Sequence, residues 1–268
     1  MVQTWVAMLA AAAATGAGPA PLQPVGKWNL EYAESMCVAP REFGTAGSGI
    51  FLALRPLPMG DAVELFLVMP GSRIEARLGQ GKVTLTPGNT VLEGSYVTWS
   101  TKEGNRRVLS MTVNDHDHAL SAATTIAISG ASKAPIVVAS TKIDKVMEAM
   151  VPCQRSLLTS WKIDPDANDK VATPPEPKTN IVNWISSRDY PPAVLRQGQY
   201  GNTTILWKIG TDGLVGACRV VGQSGNDELD AAACQAITKR GRYTPATDKD
   251  GKPVVSYMMR RVIWRLPG

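Results

Sequence analysis

The stretch Gly201-Asn202-Thr203-Thr204-Ile205-Leu206-Trp207-Lys208-Ile209, followed by Gly210-Thr211-Asp212-Gly213, decides how the last third of the chain folds. Thr203, Ile205, Trp207 and Ile209 share one face at a two-residue period, the pattern of a half-buried strand. Asp212-Gly213 is a hairpin signal, because Gly213 supplies the positive φ that a tight turn demands. Leu214 to Val221 then reads as the return strand, with Cys218 and Val220 on one side. Asn226 or Asp227 caps a helix whose Leu229, Ala232, Ala233, Ala236 and Ile237 recur at helical spacing. Lys239 and Arg240 fall in its last turn, where the helix dipole favours cations, and Gly241 stops it. Pro191 to Gly198 reads as a short helix before the sheet, and Pro253 opens a long final strand through Leu266. The expected unit, residues 183–268, is a three-stranded antiparallel sheet with two helices.

Upstream, residues 164–180 (DPDANDKVATPPEPKTN) hold four prolines and no large apolar side chain. They read as an extended linker, bounded at 164–182, with a reach of roughly 50 Å at ~3.1 Å per residue. Before it, residues 22–163 form a second unit. Phe51–Leu54, Val63–Met69, Lys82–Thr86, Val91–Thr101, Arg106–Val113, Thr124–Ile128 and Ile136–Val138 are short β signals separated by Gly, Pro, Asn or Asp. Their spacing predicts a mostly antiparallel sandwich or partly closed barrel. From 141 to 163 the period becomes helical through Ile143, Val146, Met150, Leu157 and Trp161, and Pro152 predicts a break that makes two helices. The fold class is α+β.

Composition agrees with two folded units. Of the 268 residues, 44% are hydrophobic and 19% charged, and the mean hydropathy of −0.07 excludes a polytopic membrane protein. The net charge of +5 resides entirely beyond residue 180, where 12 Lys and Arg face 7 Asp and Glu. Residues 1–20 carry no charge and end in small side chains, which reads as a signal peptide cleaved near Ala17. A short uncleaved anchor is the alternative. Export makes the four cysteines disulfide partners, and their order along the chain favours Cys37–Cys153 and Cys218–Cys234, one bridge per unit. It also disfavours nucleic acid as a partner, despite the basic C-terminal third.

The ordered landmarks of the last third resemble the TonB C-terminal domain family over about residues 185–266. They are Tyr190-Pro191, Gly201 through Ile209, Gly213, Ser224-Gly225, Leu229-Asp230, Tyr243-Thr244-Pro245-Ala246 and Gly251-Lys252-Pro253. The resemblance implies a domain that binds an extended segment of a TonB-dependent outer-membrane receptor, by adding it as a strand to an exposed sheet edge. The edge it implies is Val254 to Arg265. Partner-binding residues would then be Tyr190, Val254, Ser256, Met258, Arg260, Arg261 and Arg265. An anchored chain would also meet an inner-membrane motor complex. Three features depart from the family pattern: no convincing anchor, a much shorter linker, and a folded β unit where the family has a spacer. A periplasmic interaction module without an energy-transducing role is therefore the alternative function. Strand exchange between edges would give a homodimer.

Catalytic and cofactor signals are weak by comparison. His116 and His118, the only histidines, read as a solvated turn, since adjacent residues do not easily converge on one metal. Gly222-Gln223-Ser224-Gly225-Asn226 lacks the spacing of a nucleophile elbow, and Gly79-Gln80-Gly81 reads as a strand turn. No catalytic residue, metal ligand or cofactor is assigned, and the chain is read as a non-enzyme.

Overall fold

The computed structural model describes residues 19–266 apart from 34 and 102; the expected signal peptide lies outside the described residues but for its last two positions. The N-terminal unit is a ten-stranded antiparallel sheet nearly closed as a barrel. Its strands run side by side in the order Pro24–Val25, Met36–Phe43, Ile50–Pro56, Ala62–Pro70, Arg106–Asn114, Thr90–Ser100, Arg77–Thr86, Thr125–Ser129 and Ile136–Ala139, with Glu31–Ala33 paired to Met36–Phe43 off this path. The ends of the sheet meet at Leu22, whose N–H donates to Val137 O (2.8 Å) and whose carbonyl accepts from Ala139 N (2.9 Å). Closure removes most of the unpaired edge that an open sheet would present. Leu52, Leu54, Leu65, Leu67 and Met111 fill the interior.

All seven expected strands of this unit are present, and three details differ. Gly79-Gln80-Gly81 is strand, not turn. A Cβ on Gly79 would stand 2.6 Å from the Tyr96 ring across the ladder, so the glycines make room for that tyrosine. Met36–Phe43 is a strand that the alternation did not reveal, because its inward residues before Phe43, Cys37 and Ala39, are small and Pro40 interrupts it. Residues Ile143–Ser160 form one helix that passes through Pro152 without dividing. Pro152 lies on the exposed side, while Val146, Met150, Cys153 and Leu157 are buried on both sides of it. Packing of that face outweighs the missing hydrogen bond. Cys153 bridges to Cys37 and ties this helix to the Met36–Phe43 strand, Cα atoms 6.1 Å apart. Among the described residues, no helix is long and apolar enough to cross a membrane.

In the C-terminal unit the strand Gly201–Ile209 is central, flanked by Val215–Gly222 and Ser256–Trp264, all antiparallel. Gly213 turns the hairpin with φ +78°, and Tyr243 packs so close that a Cβ there would lie 2.0 Å from its carbonyl oxygen. The helix Asp227–Arg240 covers one face, capped by the Asn226 side chain, which accepts from Glu228 N and Leu229 N at 2.9 and 3.1 Å. Cys218–Cys234 fastens that helix to the return strand. Ile205, Trp207, Ile209, Leu229 and Ile237 form the core between them.

The opposite face of this sheet is also covered. Leu206 is buried to 2% exposure within the core of the N-terminal unit, and Val221, Tyr257 and Met259 pack against it. Arg219 donates to the carbonyl of Trp161. The expected linker is likewise held in place. Ala172 N and Thr173 N donate to Thr247 O, Glu176–Pro177 pair with Tyr243–Thr244, and Lys178 N donates to Arg242 O. Arg155 on the long helix grips Asp166 and Asp169. Residues 164–178 are thus a strap along the C-terminal unit, not a free spacer, because extended backbone with correctly spaced amides adds to an unpaired strand.

Candidate functional site

The final strand Ser256–Trp264 is bonded to Gly201–Ile209 on one side and ends the sheet on the other. Its residues alternate between faces. Ser256, Met258, Arg260, Val262 and Trp264 stand opposite Ile209, Trp207, Ile205, Thr203 and Gly201 on the helix side. Tyr257, Met259 and Arg261 point the other way, the first two toward the barrel unit.

A buried polar network sets the far end of this strand. Trp264 Nε1 donates to Thr203 Oγ1 (3.0 Å), whose own hydroxyl donates to Asp230 Oδ1 (2.7 Å), and the same carboxylate accepts from Ser224 N (3.0 Å). Thr203 is fully buried and Asp230 is 6% exposed. One side chain from the first turn of the helix therefore holds the central strand, the final strand and the Ser224-Gly225 turn together. This gives a physical role to the Leu229-Asp230 and Ser224-Gly225 landmarks.

Of the expected partner-binding residues, Tyr190 and Arg260 are tied into the protein's own packing. Tyr190 is 7% exposed, stacks edge-on against Trp264 at 5.4 Å, and donates its hydroxyl to Gln199 O; burial pushes its phenol up. Arg260 turns to the helix side and donates to Ile181 O (3.1 Å), and burial pulls its guanidinium below the ordinary arginine range. Val254 precedes the strand, its N–H committed to Ala246 O (2.9 Å). Arg261 and Arg265 are exposed, Met258 is half-buried and Ser256 is buried at 2%. Nearby, Arg240 pairs with Asp189 (2.6 Å). Burial pushes the Asp189 carboxyl up, but the Arg240 and Ser186 hydrogen bonds outweigh it and hold it below the usual carboxylate range.

Beside the first half of the edge lies a groove of about 880 Å³. Ser256, Tyr257, Met258 and Met259 all line it. Consecutive strand residues point to opposite faces, so a cavity that touches all four must run along the strand's edge. Its far walls are the strap at Pro174, Pro175 and Pro177, the long helix at Met147 and Val151, and the barrel loops at Leu57 and Met59. The barrel and strap contributions escape sequence reasoning, since they require knowing which units touch. The signal that was available is Tyr257-Met258-Met259, apolar on both faces at once. Among the described residues no three His, Cys, Asp or Glu side chains gather to hold a metal; His116 Nδ1 lies 2.7 Å from Asp61 Oδ2 in a loop of the groove wall.

A helix-backed, three-stranded sheet whose one edge opens into a groove is a small α+β interaction domain, here joined to an antiparallel barrel. Residues 186–266 match the family model of the Gram-negative bacterial TonB protein C-terminal, and this part of the chain is a TonB C-terminal domain. That family is one of non-catalytic interaction and transducer domains, whose partners in general are outer-membrane receptors. The match covers the last third of the chain and leaves the barrel unit outside it. No curated protein matches the chain.

Proposed function

We propose that the chain works in outer-membrane transport by accepting an extended segment of a TonB-dependent receptor as a fourth strand along Ser256–Trp264. The observation that carries this reading is the edge itself, which ends the sheet of a TonB C-terminal domain and borders an open groove over Ser256–Met259. Main-chain hydrogen bonds to the strand supply affinity, and side chains at alternate positions supply selectivity. Ser256 and Met258 contact the segment from one side, Arg261 and Arg265 from the other. Tyr190 and Arg260 act from behind, by holding the strand in position. Export through residues 1–20 to the periplasm belongs to the same reading.

The test uses synthetic peptides covering the periplasmic N-terminal segments of TonB-dependent receptors, titrated onto the full chain. Each binding peptide is remade with N-methyl groups on its even-numbered or its odd-numbered residues. Strand addition uses the N–H of alternate residues only. One methylated set loses binding and the other keeps it. Equal tolerance of both sets would overturn strand addition.

A further inference from the structure

The groove beside Ser256–Met259 is built from parts that a TonB C-terminal domain does not supply: barrel loops, the long helix and the strap. Its chemistry has a sign. The walls carry Asp61, Asp144, Glu148 and Asp169, in a chain whose net charge is +5. The one arginine among them, Arg155, is already engaged by Asp166 and Asp169, Glu148 is paired with Lys145 outside the groove, and Asp61 is bonded to His116 on the same wall. The apolar lining is soft and adaptable, with Met59, Met147, Met258 and Met259. At the strand itself the groove meets four consecutive residues, Ser256 to Met259, on the side where the sheet ends, so a bound chain there faces unpaired backbone groups.

We infer that this groove is a second recognition surface, which reads the stretch of the bound segment that lies along Ser256–Met259, about four extended residues, apolar in the main and carrying a basic side chain. This inference rests on strand addition to the same edge. The four lining residues span roughly 13 Å at ~3.3 Å per residue, which sets the length. The volume falls within the ~300–1,000 Å³ of pockets that enclose most of a ligand. Methionine side chains and the prolines of the strap accept varied apolar groups, while the carboxylates of Asp61 and Asp144 select the charge. The barrel unit is thereby given a role in specificity: it reads residues of the partner that the C-terminal domain alone leaves in solvent.

The test uses the full chain and two acetylated eight-residue peptides of alternating valine and threonine, one with two lysines and one with two glutamates at the same positions. Affinity is read by anisotropy of a peptide label at low and at high salt. The lysine peptide binds about tenfold more tightly at low salt, and the difference shrinks as salt screens it. In an Asp61→Asn, Asp144→Asn double variant the preference falls to about threefold or less. Equal affinity for the two peptides, or a preference unchanged in the double variant, overturns the inference. If alternate N-methylation still blocks binding in that case, strand addition stands and only the groove reading fails. No binding by either peptide overturns the inference alone, and insensitivity of the receptor peptides to N-methylation overturns both. A dimer in sedimentation whose formation excludes the peptides would assign the groove to a second copy and overturn the inference as well.

Discussion

Replacing Asp230 tests how the final strand is held. Its carboxylate accepts hydrogen bonds from Thr203 Oγ1 at 2.7 Å and Ser224 N at 3.0 Å, in a site where Thr203 is fully buried. Hydrogen bonds to a charged acceptor contribute about 1.5–3 kcal/mol each, and a buried donor left without a partner costs about 1–3 kcal/mol. Asp230→Ala deletes two such bonds and strands both donors, so it is expected to destabilise the protein by about 3–5 kcal/mol. Asp230→Asn keeps one acceptor oxygen and is expected to cost about 1–2 kcal/mol. Urea unfolding followed by tryptophan fluorescence reads the effect through Trp207 and Trp264, both in this core. With a slope of about 2 kcal/mol per molar urea, the alanine variant shifts the midpoint by roughly 1.5–2.5 M. The cycle with Thr203→Val isolates the pair, since that change also deprives Trp264 Nε1 of its acceptor. A coupling of at least about 1 kcal/mol is expected for groups in one network. An alanine variant within about 0.5 kcal/mol of the parent, or strict additivity in the cycle, refutes the claim that this carboxylate joins the three elements.

Other expectations follow from the packing and the charges. Leu206→Ala should cost about 2–4 kcal/mol if the barrel unit covers this face, as its 2% exposure requires, whereas a change below about 0.5 kcal/mol would mean the face is open to solvent. Loss of the Cys218–Cys234 bridge in Cys218→Ser should lower stability by about 3 kcal/mol for a loop of 16 residues, and equal melting of the two proteins would count against it. Asp189 is held below the usual carboxylate range, so its contribution is complete above the unfolded carboxylate's pKa of about 3.9 and is lost as the pH falls through the lower folded value. Asp189→Asn should therefore be less stable than the parent at pH 7, and equally stable once the pH is well below 4. A difference that persists unchanged in acid would assign the loss to packing instead.

The parts of the fold that sequence reveals are those where one face is buried and the other is not. Thr203, Ile205, Trp207 and Ile209 announce their strand because Thr204 and Lys208 interrupt them on the other face. Leu206 breaks that alternation, and Ile205-Leu206-Trp207 is the continuous apolar run of a strand buried on both sides. The second face was legible, but not what covers it. Met36–Phe43 escapes because its inward residues before Phe43 are small and carry little hydrophobic signal. The strap escapes for a different reason: composition shows that 164–180 has no core of its own, yet backbone hydrogen bonds to Tyr243–Thr247 need no apolar side chain. At the site, position along the strand was readable and side-chain direction was not. Arg260 and Arg261 are neighbours in sequence, but alternation sends one to Ile181 and leaves the other in solvent.

An exposed sheet edge is useful only if it admits the intended chain and refuses others. Most edges here are disarmed. The barrel closes at Leu22, and the return strand Val215–Gly222 carries Arg219 and two glycines, which make it a poor template for further pairing. The final strand is protected by its surroundings. Prolines of the strap stand on one side of the groove and barrel loops on another, so an approaching folded sheet meets both before it reaches Ser256–Met259. A single extended segment does not. On the proposed function, recessing the edge converts a site of general strand pairing into one selective for an unfolded stretch of a partner. It also argues against edge-to-edge dimerisation over these four residues, and it explains why a TonB C-terminal domain with a short linker would keep a folded unit packed against its sheet.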